Sequence, residues 1–377
     1  MLRRFLSTSV NLALVGIVVA CSSPTGDERS EAPAAASQAA PGQSTDAMAA
    51  HDPARGTPLD PAAADDRPRP EMQLQVVLDR LGFTPGVVDG KMGLSTRNAL
   101  LGYQEANNLP PSGEYDEPTR TALATWANIP ATRLVTIPAE FAAGPFAKIP
   151  KRPTDQAKLD CMCYETLDEK LAERFHTTVA VLKELNPQTA QATQLDQPYF
   201  ASYQQIRVPN VGGDVVDPTA AKDPRWAATL TLLGVGTGQP QAAKVVVSKS
   251  KGTLKAFDST GKLVAVYTAT MGSRRDPLPL GEWKILGIGR NPDFKYNPKL
   301  FWDVKDSASS ALLKPGPNNP VGVVWIDINK EHYGIHGTPS PETIGRAESH
   351  GCVRLTNWDA ARLAQMVSPK TMLLFEA

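Results

Sequence analysis

The spacing of apolar residues changes character along this chain, and that change most constrains how it can fold. Between residues 71 and 129, Leu74, Val77, Leu78 and Leu81 recur at steps of three and four, the period of an amphipathic helix. Ala99, Leu100 and Tyr103 repeat the pattern, with Ser95 expected to cap that second helix, and Gly113 and Asp116 open a third. From residue 243 onward the pattern becomes that of strands. Lys244 to Ser248 (KVVVS), Thr253 to Phe257 and Leu263 to Thr270 are rich in β-branched residues, and Ser259-Thr260-Gly261 breaks the last two apart. One helix over residues 359–367 and a last strand over 371–375 complete the segment. A chain of 377 residues that reads helical at one end and mainly β at the other folds as two or three separate units.

The first 21 residues form an address. Arg3 and Arg4 precede a short apolar run from Leu12 to Ala20, long enough for an export signal and short for a stable membrane span. The run ends Val18-Val19-Ala20-Cys21, which resembles the lipoprotein box of bacterial exported proteins. That resemblance implies lipidation of Cys21 and a membrane anchor. The alternative is an ordinary cleaved signal with an incidental Cys; either way the chain leaves the cytoplasm. Residues 22–70 are dense in Ala, Pro, Ser, Gly, Asp and Glu and hold only Met48 and Leu59 as large apolar side chains. Such a stretch buries too little surface to offset chain entropy and reads as a tether. With 39 basic and 39 acidic residues the chain lacks the positive excess that nucleic-acid binding needs.

Residues 71–129 carry Leu81-Gly82-Phe83, the turn Asp89-Gly90, Gly93 to Thr96, and the pair Tyr103-Gln104. In that order these phrases resemble the peptidoglycan-binding domain of cell-wall hydrolases. Residues 155–210 read as two helical runs, Tyr164 to Phe175 and Val179 to Leu185, then Asn186-Pro187 and a strand Gln205 to Pro209. This resembles a degenerate lysin-motif (LysM) module, with Tyr164-Glu165-Thr166 where Gly-Asp-Thr is usual. Its alternative is a helical linker without a ligand. Arg225-Trp226 falls in the linker that follows and carries no signal.

Cysteines and histidines locate the chemistry. Of four cysteines, Cys21 belongs to the address, and Cys161 and Cys163 are close enough to pair. Cys352 is left over, and an odd thiol in an exported chain is either buried and inert or reactive. Three of the five histidines, His332, His336 and His350, lie within the twenty residues before it. An imidazole beside a thiol can take its proton, and glycine amides can receive a developing oxyanion. A zinc site is not expected, because no second cysteine pair lies near Cys161 and Cys163.

Ile335-His336-Gly337-Thr338, a loop, and then Ser349-His350-Gly351-Cys352-Val353-Arg354 resemble the signature of L,D-transpeptidases. The resemblance implies a multidomain α+β protein: a mainly-β catalytic domain at 243–377, preceded by a small three-helix peptidoglycan-binding domain and a LysM-like module. It implies Cys352 as nucleophile and His336 as base, its ring held by a backbone carbonyl such as that of Gly337, with His350 as the second choice of base. Amides near Gly351 and Cys352 would receive the oxyanion, while Ser349 and His350 would shape the loop. Arg354 would pair with a stem-peptide carboxylate or else form a structural salt bridge, and Tyr333 would line the pocket or the strand surface. The implied reaction cross-links peptidoglycan stem peptides through a Cys352 thioester with release of D-Ala, and needs no metal or organic cofactor. Carboxypeptidase activity, lipoprotein anchoring and an inactive envelope-binding scaffold remain as alternatives. The implied partners are peptidoglycan stem peptides and glycan, and the implied place is the periplasmic side of the envelope.

Overall fold

The computed structural model describes residues 65, 67–187, 199–212, 215–301, 304 and 309–377. The address with Cys21, nearly all of the tether, and most of the stretch between Pro187 and Gln205 lie outside them.

The first unit is built from α1 (Pro70–Arg80), α2 (Leu94–Ala106) and α3 (Glu117–Leu123). Pro70 opens α1, where a missing N–H costs no hydrogen bond. Ser95 does not cap α2: Gly93 stands at the cap position and Ser95 lies one residue inside the helix. The entry is organised instead by Gln75, which is buried. Its amide donates to Asp89 and Thr96, and its carbonyl oxygen accepts from the backbone of Asp89 and Gly90, so α1 fixes the Asp-Gly turn. Asp116 does cap α3, accepting from the Thr119 amide at 3.1 Å. Gln104 is likewise buried and donates to Ser112, Thr119 and the Glu114 carbonyl, which makes the Tyr103-Gln104 pair a structural feature.

The second unit pairs β1 (Thr132–Thr136) antiparallel with β2 (Gln205–Pro209). Two single turns, α4 (Ala139–Ala142) and α5 (Pro153–Gln156), lead to α6 (Leu167–Arg174) and α7 (Val179–Leu185). Strand β1 lies ahead of residue 155, outside the bounds read for this unit from sequence, and pairs with a strand some seventy residues further on. Thr166 and Thr178 cap α6 and α7. Cys161 and Cys163 form a disulfide.

The linker that follows is not featureless. After a turn, α8 (Pro218–Ala221), helix α9 (Pro224–Leu233) buries Trp226, Leu230 and Leu233 in the core of the third unit. Asp223 caps it and Gly234 ends it in a left-handed conformation.

The third unit begins with β3 (Lys244–Ser248), β4 (Thr253–Phe257), β5 (Leu263–Thr268), β6 (Thr270–Met271) and β7 (Gly281–Arg290). A two-stranded ribbon of β8 (Phe294–Tyr296) and β9 (Ala311–Leu313) interrupts the sheet before β10 (Val324–Ile328), β11 (Gly334–His336) and β12 (Val353–Arg354). Helix α10 (Asn357–Met366) and β13 (Met372–Glu376) end the chain. The nine main strands run in the order β5-β4-β3-β13-β7-β10-β11-β12-β6. The two edge strands, β5 and β6, are separated in the chain by Ala269 alone, so the sheet cannot lie flat. It rolls around the core of Val247, Leu254, Tyr267, Ile326, Ile335 and Leu373, and Trp358 and Leu363 of α10 insert into that core.

The first unit caps the β5 edge, where unpaired strand groups would otherwise invite another chain. Thr84 N–H donates to the Val266 carbonyl at 3.0 Å and Val266 N–H donates to Gly82 at 3.1 Å. Helix α2 crosses the same strand at Gly102, where a Cβ would fall 2.5 Å from a Val266 methyl. Leu263 and Val266 of the third unit therefore share a core with Leu78, Leu100 and Tyr103 of the first.

All three units meet at Asp79. Its carboxylate is fully buried and takes both guanidinium nitrogens of Arg362, at 3.0 and 2.9 Å. The His176 ring lies 3.3 Å away, stacked on Trp358 and bonded through its other nitrogen to the Leu233 carbonyl at 2.9 Å. Burial alone would raise the Asp79 carboxyl, but Arg362 and then His176 hold it well below the ordinary carboxylate range. Asp79→Ala leaves Arg362 and His176 buried around an empty place. It is expected to cost about 3–5 kcal/mol in urea unfolding; a loss within experimental error would show that the cluster does not join the units.

Candidate active site

Strands β11 and β12 run parallel, with Ile335 beside Val353 and His336 beside Arg354. Side chains alternate faces along a strand, so Ile335 and Val353 point into the core. His336, Arg354 and, one step before β12, Cys352 fall on the opposite face. Here the two halves of the motif, sixteen residues apart in sequence, are brought together.

The His336 ring is buried and held from two sides. Its Nδ1 faces the Gly337 carbonyl at 2.7 Å, which makes Nδ1 the protonated nitrogen and leaves Nε2 as the acceptor. Trp325, its cross-strand neighbour on β10, stacks on the ring with centroids 5.6 Å apart. Burial and then the Arg354 charge push the imidazole pKa down to about 3, against the pull of the Gly337 carbonyl. Cys352 is a free, partly exposed thiol. Burial of its sulfur pushes the thiol up, opposed by the Gly334 amide and by Arg354. Its S–H points to the His332 carbonyl at 3.6 Å. Burial thus disfavours charge on both groups, and no hydrogen bond joins them among the described contacts. Catalytic hydrogen bonds commonly tighten only when substrate is bound, and both side chains already share one face of adjacent strands.

The loop before Cys352 is fastened by Ser349. Its buried hydroxyl accepts the Gly272 amide at 2.6 Å and donates to the Cys352 carbonyl at 2.7 Å, tying the loop to the end of β6. Gly351 adopts φ +103°, and a Cβ there would lie 2.4 Å from the Tyr333 ring. Tyr333 thus packs under the bend that presents Cys352. His350 packs edge-on against Phe301 at 5.1 Å. Arg354 is mostly desolvated, and its Nε is buried with no hydrogen-bond partner among the described residues. The salt bridge held open for it in the sequence is not formed among them.

Two contributors were missed from sequence. Trp325 was legible, since Val324-Trp325-Ile326-Asp327 alternates and puts Trp325 on the face opposite the core. Asn357 behind Gly337 gives no local signal, because its role comes from contacts far off in the chain.

A thiol raised by burial is protonated at neutral pH, and its thiolate grows in only above the ordinary range near 8.5. Alkylation of Cys352 by iodoacetamide should therefore keep rising with pH beyond the range in which an ordinary free cysteine levels off. A plateau at or below neutral pH would mean an ion pair at rest.

Comparisons with known proteins cover the first and third units. The family described as "L,D-transpeptidase catalytic domain" matches residues 242–374, and the "Putative peptidoglycan binding domain" family matches residues 72–123. "Putative L,D-transpeptidase YkuD" of Bacillus subtilis (strain 168) is 49% identical over 106 residues, covering 28% of this chain and 49% of that protein. Its namesake in Bacillus licheniformis is 31% identical over 124 residues, covering 33% of this chain and 59% of that protein. The chain thus spans about half to three-fifths of the length of these relatives. Among solved structures, L,D-transpeptidase 3 from Mycobacterium tuberculosis aligns with a TM-score of 0.30 at 19% identity, over 36% of this chain and 61% of that one, a likeness too low to bear on the assignment. On the sequence matches, residues 242–374 are a catalytic domain of the L,D-transpeptidase family, with a domain of the peptidoglycan-binding family ahead of it.

Proposed function

We propose that this protein is a cysteine-dependent L,D-transpeptidase acting on peptidoglycan stem peptides. The observation that carries the reading is the shared face of β11 and β12: a free Cys352, a His336 whose Nδ1–H is committed to Gly337, and an Arg354 without a partner among the described residues.

With both groups neutral at rest, the proton moves as the bond forms. Cys352 Sγ attacks the carbonyl between the third residue and the fourth, D-Ala, while its proton passes to His336 Nε2. The amides of Gly351 and Cys352 receive the oxyanion. The C–N bond then breaks, His336 returns the proton to the departing D-Ala amine, and a thioester remains. An amine from a second stem attacks that thioester and gives its proton to His336. The thiolate leaves and is reprotonated. The passing imidazolium is costly in a site that lowers its pKa to about 3, which favours a proton in transit over a stable ion pair. Arg354 offers an always-charged planar donor to a substrate carboxylate, and burial without a partner makes such a ligand worth more there than in water.

The modules support a wall-facing role. A peptidoglycan-binding domain is fixed to the catalytic sheet, and the second unit has the helix–helix–strand order of the LysM-like reading, with β1 completing a two-stranded sheet. Export, lipidation of Cys21 and a periplasmic location belong to the same proposal and rest on the first 21 residues. Water as acceptor would give a carboxypeptidase, and a lipoprotein amine would give covalent anchoring.

The deciding experiment incubates the protein with tetrapeptide-bearing muropeptides and reads the products by mass spectrometry. Dimers with new L,D links, accompanied by free D-Ala, are expected, and Cys352→Ser should abolish them without unfolding the chain. Unchanged muropeptides from folded wild-type protein would leave an envelope-binding scaffold, and trimmed tripeptides alone would make it a hydrolase.

A further inference from the structure

Glu173, on α6 of the second unit, reaches into the third. One carboxylate oxygen accepts the Tyr164 hydroxyl at 2.6 Å, and the other accepts the Asn357 amide at 2.7 Å across the boundary between units. Asn357 is fully buried at the first position of α10, and its amide nitrogen also reaches the Pro317 carbonyl at 3.2 Å. Both donors of that nitrogen are therefore used. Its amide oxygen accepts Val323 N–H at 3.2 Å and lodges between two glycines. A Cβ on Gly322 would lie 1.9 Å from this oxygen, and a Cβ on Gly337 would lie 2.2 Å from it. Gly337 is the residue whose carbonyl takes the Nδ1–H of His336.

We propose that Asn357, held in place by Glu173 of the second unit, is a positioning residue for His336. The proposal rests on the reading of His336 as the base. A peptide whose Cα is wedged against a fixed amide oxygen cannot turn, so the Gly337 carbonyl keeps its direction. That direction decides the imidazole tautomer, and the tautomer decides whether Nε2 is free to take the thiol proton. Glu173 supplies an acceptor for a buried amide donor that would otherwise go unmet in a dry place, and a buried donor without a partner is costly. Burial raises the Glu173 carboxyl to about 7, against the pull of the Tyr164 and Asn357 hydrogen bonds. The base of the third unit is thereby set by the docking of the second. Losing one such hydrogen-bond preference reduces the tautomer bias by about tenfold.

The test is NMR of the full chain labelled with 15N-histidine, with His336 assigned by its loss in His336→Ala. Wild type should show the Nδ1–H tautomer. Asn357→Ala and Glu173→Ala should show a mixture, and Glu173→Gln, whose amide oxygen still accepts from Asn357, should return to the wild-type form. Iodoacetamide should modify Cys352 about tenfold more slowly in the two alanine variants. Either alanine variant, folded by near-UV circular dichroism yet keeping the wild-type tautomer, overturns the proposal. If Asn357→Ala does not fold, Asn357→Ser replaces it, since a hydroxyl can still meet Val323 but cannot span from Gly337 to Glu173. The base assignment fails separately: His336→Ala with unchanged alkylation removes it whatever the Asn357 variants show.

Discussion

The buried carboxylate of Asp79 is the point on which the architecture turns. It lies on α1 of the first unit, binds Arg362 of α10 in the third, and faces His176 at the turn after α6 in the second. Bringing a carboxylate and a guanidinium out of water costs several kcal/mol per ion, so the cluster is weak evidence for extra stability. Its value is in register. An apolar contact tolerates sliding by a residue or a turn, but a bidentate ion pair with a stacked ring beside it is satisfied in one arrangement. The linker helix α9 strengthens that selection, because the Leu233 carbonyl accepts the second His176 nitrogen while Trp226 and Leu230 fill the third unit's core.

From that junction the constraint extends to the chemistry. Helix α10 runs from Asn357, beside Gly337, through Trp358, stacked on His176, to Arg362, bound to Asp79. One ten-residue helix therefore carries the contacts that hold the first and second units and also abuts the residue that sets the His336 ring. The site itself is arranged for a proton in motion. Burial disfavours charge on both Cys352 and His336, and Arg354 opposes an imidazolium while favouring a thiolate. In the mechanism proposed above, such a site would hold no stored thiolate and would ionise only as a substrate carbonyl arrives.

Much of the catalytic unit was legible. In it β3 and β4, and in the second unit α7 and β2, fall where the periodicity put them, because each is a short run whose apolar pattern matches its own local geometry. The motif around His336 and Cys352 was legible for a different reason: the glycines and small polar residues it needs are dictated by backbone shape, as at Gly351 with its positive φ against Tyr333. What escaped is whatever depends on distant partners. Ser95 reads as a cap because its type is right, yet Gln75 on another helix does the work of fixing that turn. β1 is too short and too far from β2 in the chain to be tied to it from sequence, and Trp226 looks like linker until the sheet rolls around it. Asp79, Glu173 and Asn357 are ordinary polar residues in sequence and become decisive only when three units close around them.

A fixed assembly also bears on how a polymer of the kind proposed above would be engaged. A recognition domain on a loose tether raises the local concentration of substrate without orienting it. Here the first unit is stitched to strand β5 by backbone hydrogen bonds, and a Cβ on Gly345, in the loop between His336 and Cys352, would lie 3.5 Å from a methyl of Leu94 at the start of α2. Lys91, Ser95, Thr178, Glu184, Glu342 and Arg346, drawn from all three units, line one cavity of about 240 Å³ there. Any segment entering it would meet the first and second units and the loop between His336 and Cys352 at once, at separations the fold has already set. The entropy of aligning modules with the nucleophile is then spent during folding rather than at each encounter, which is the physical advantage of closing three units on one buried carboxylate.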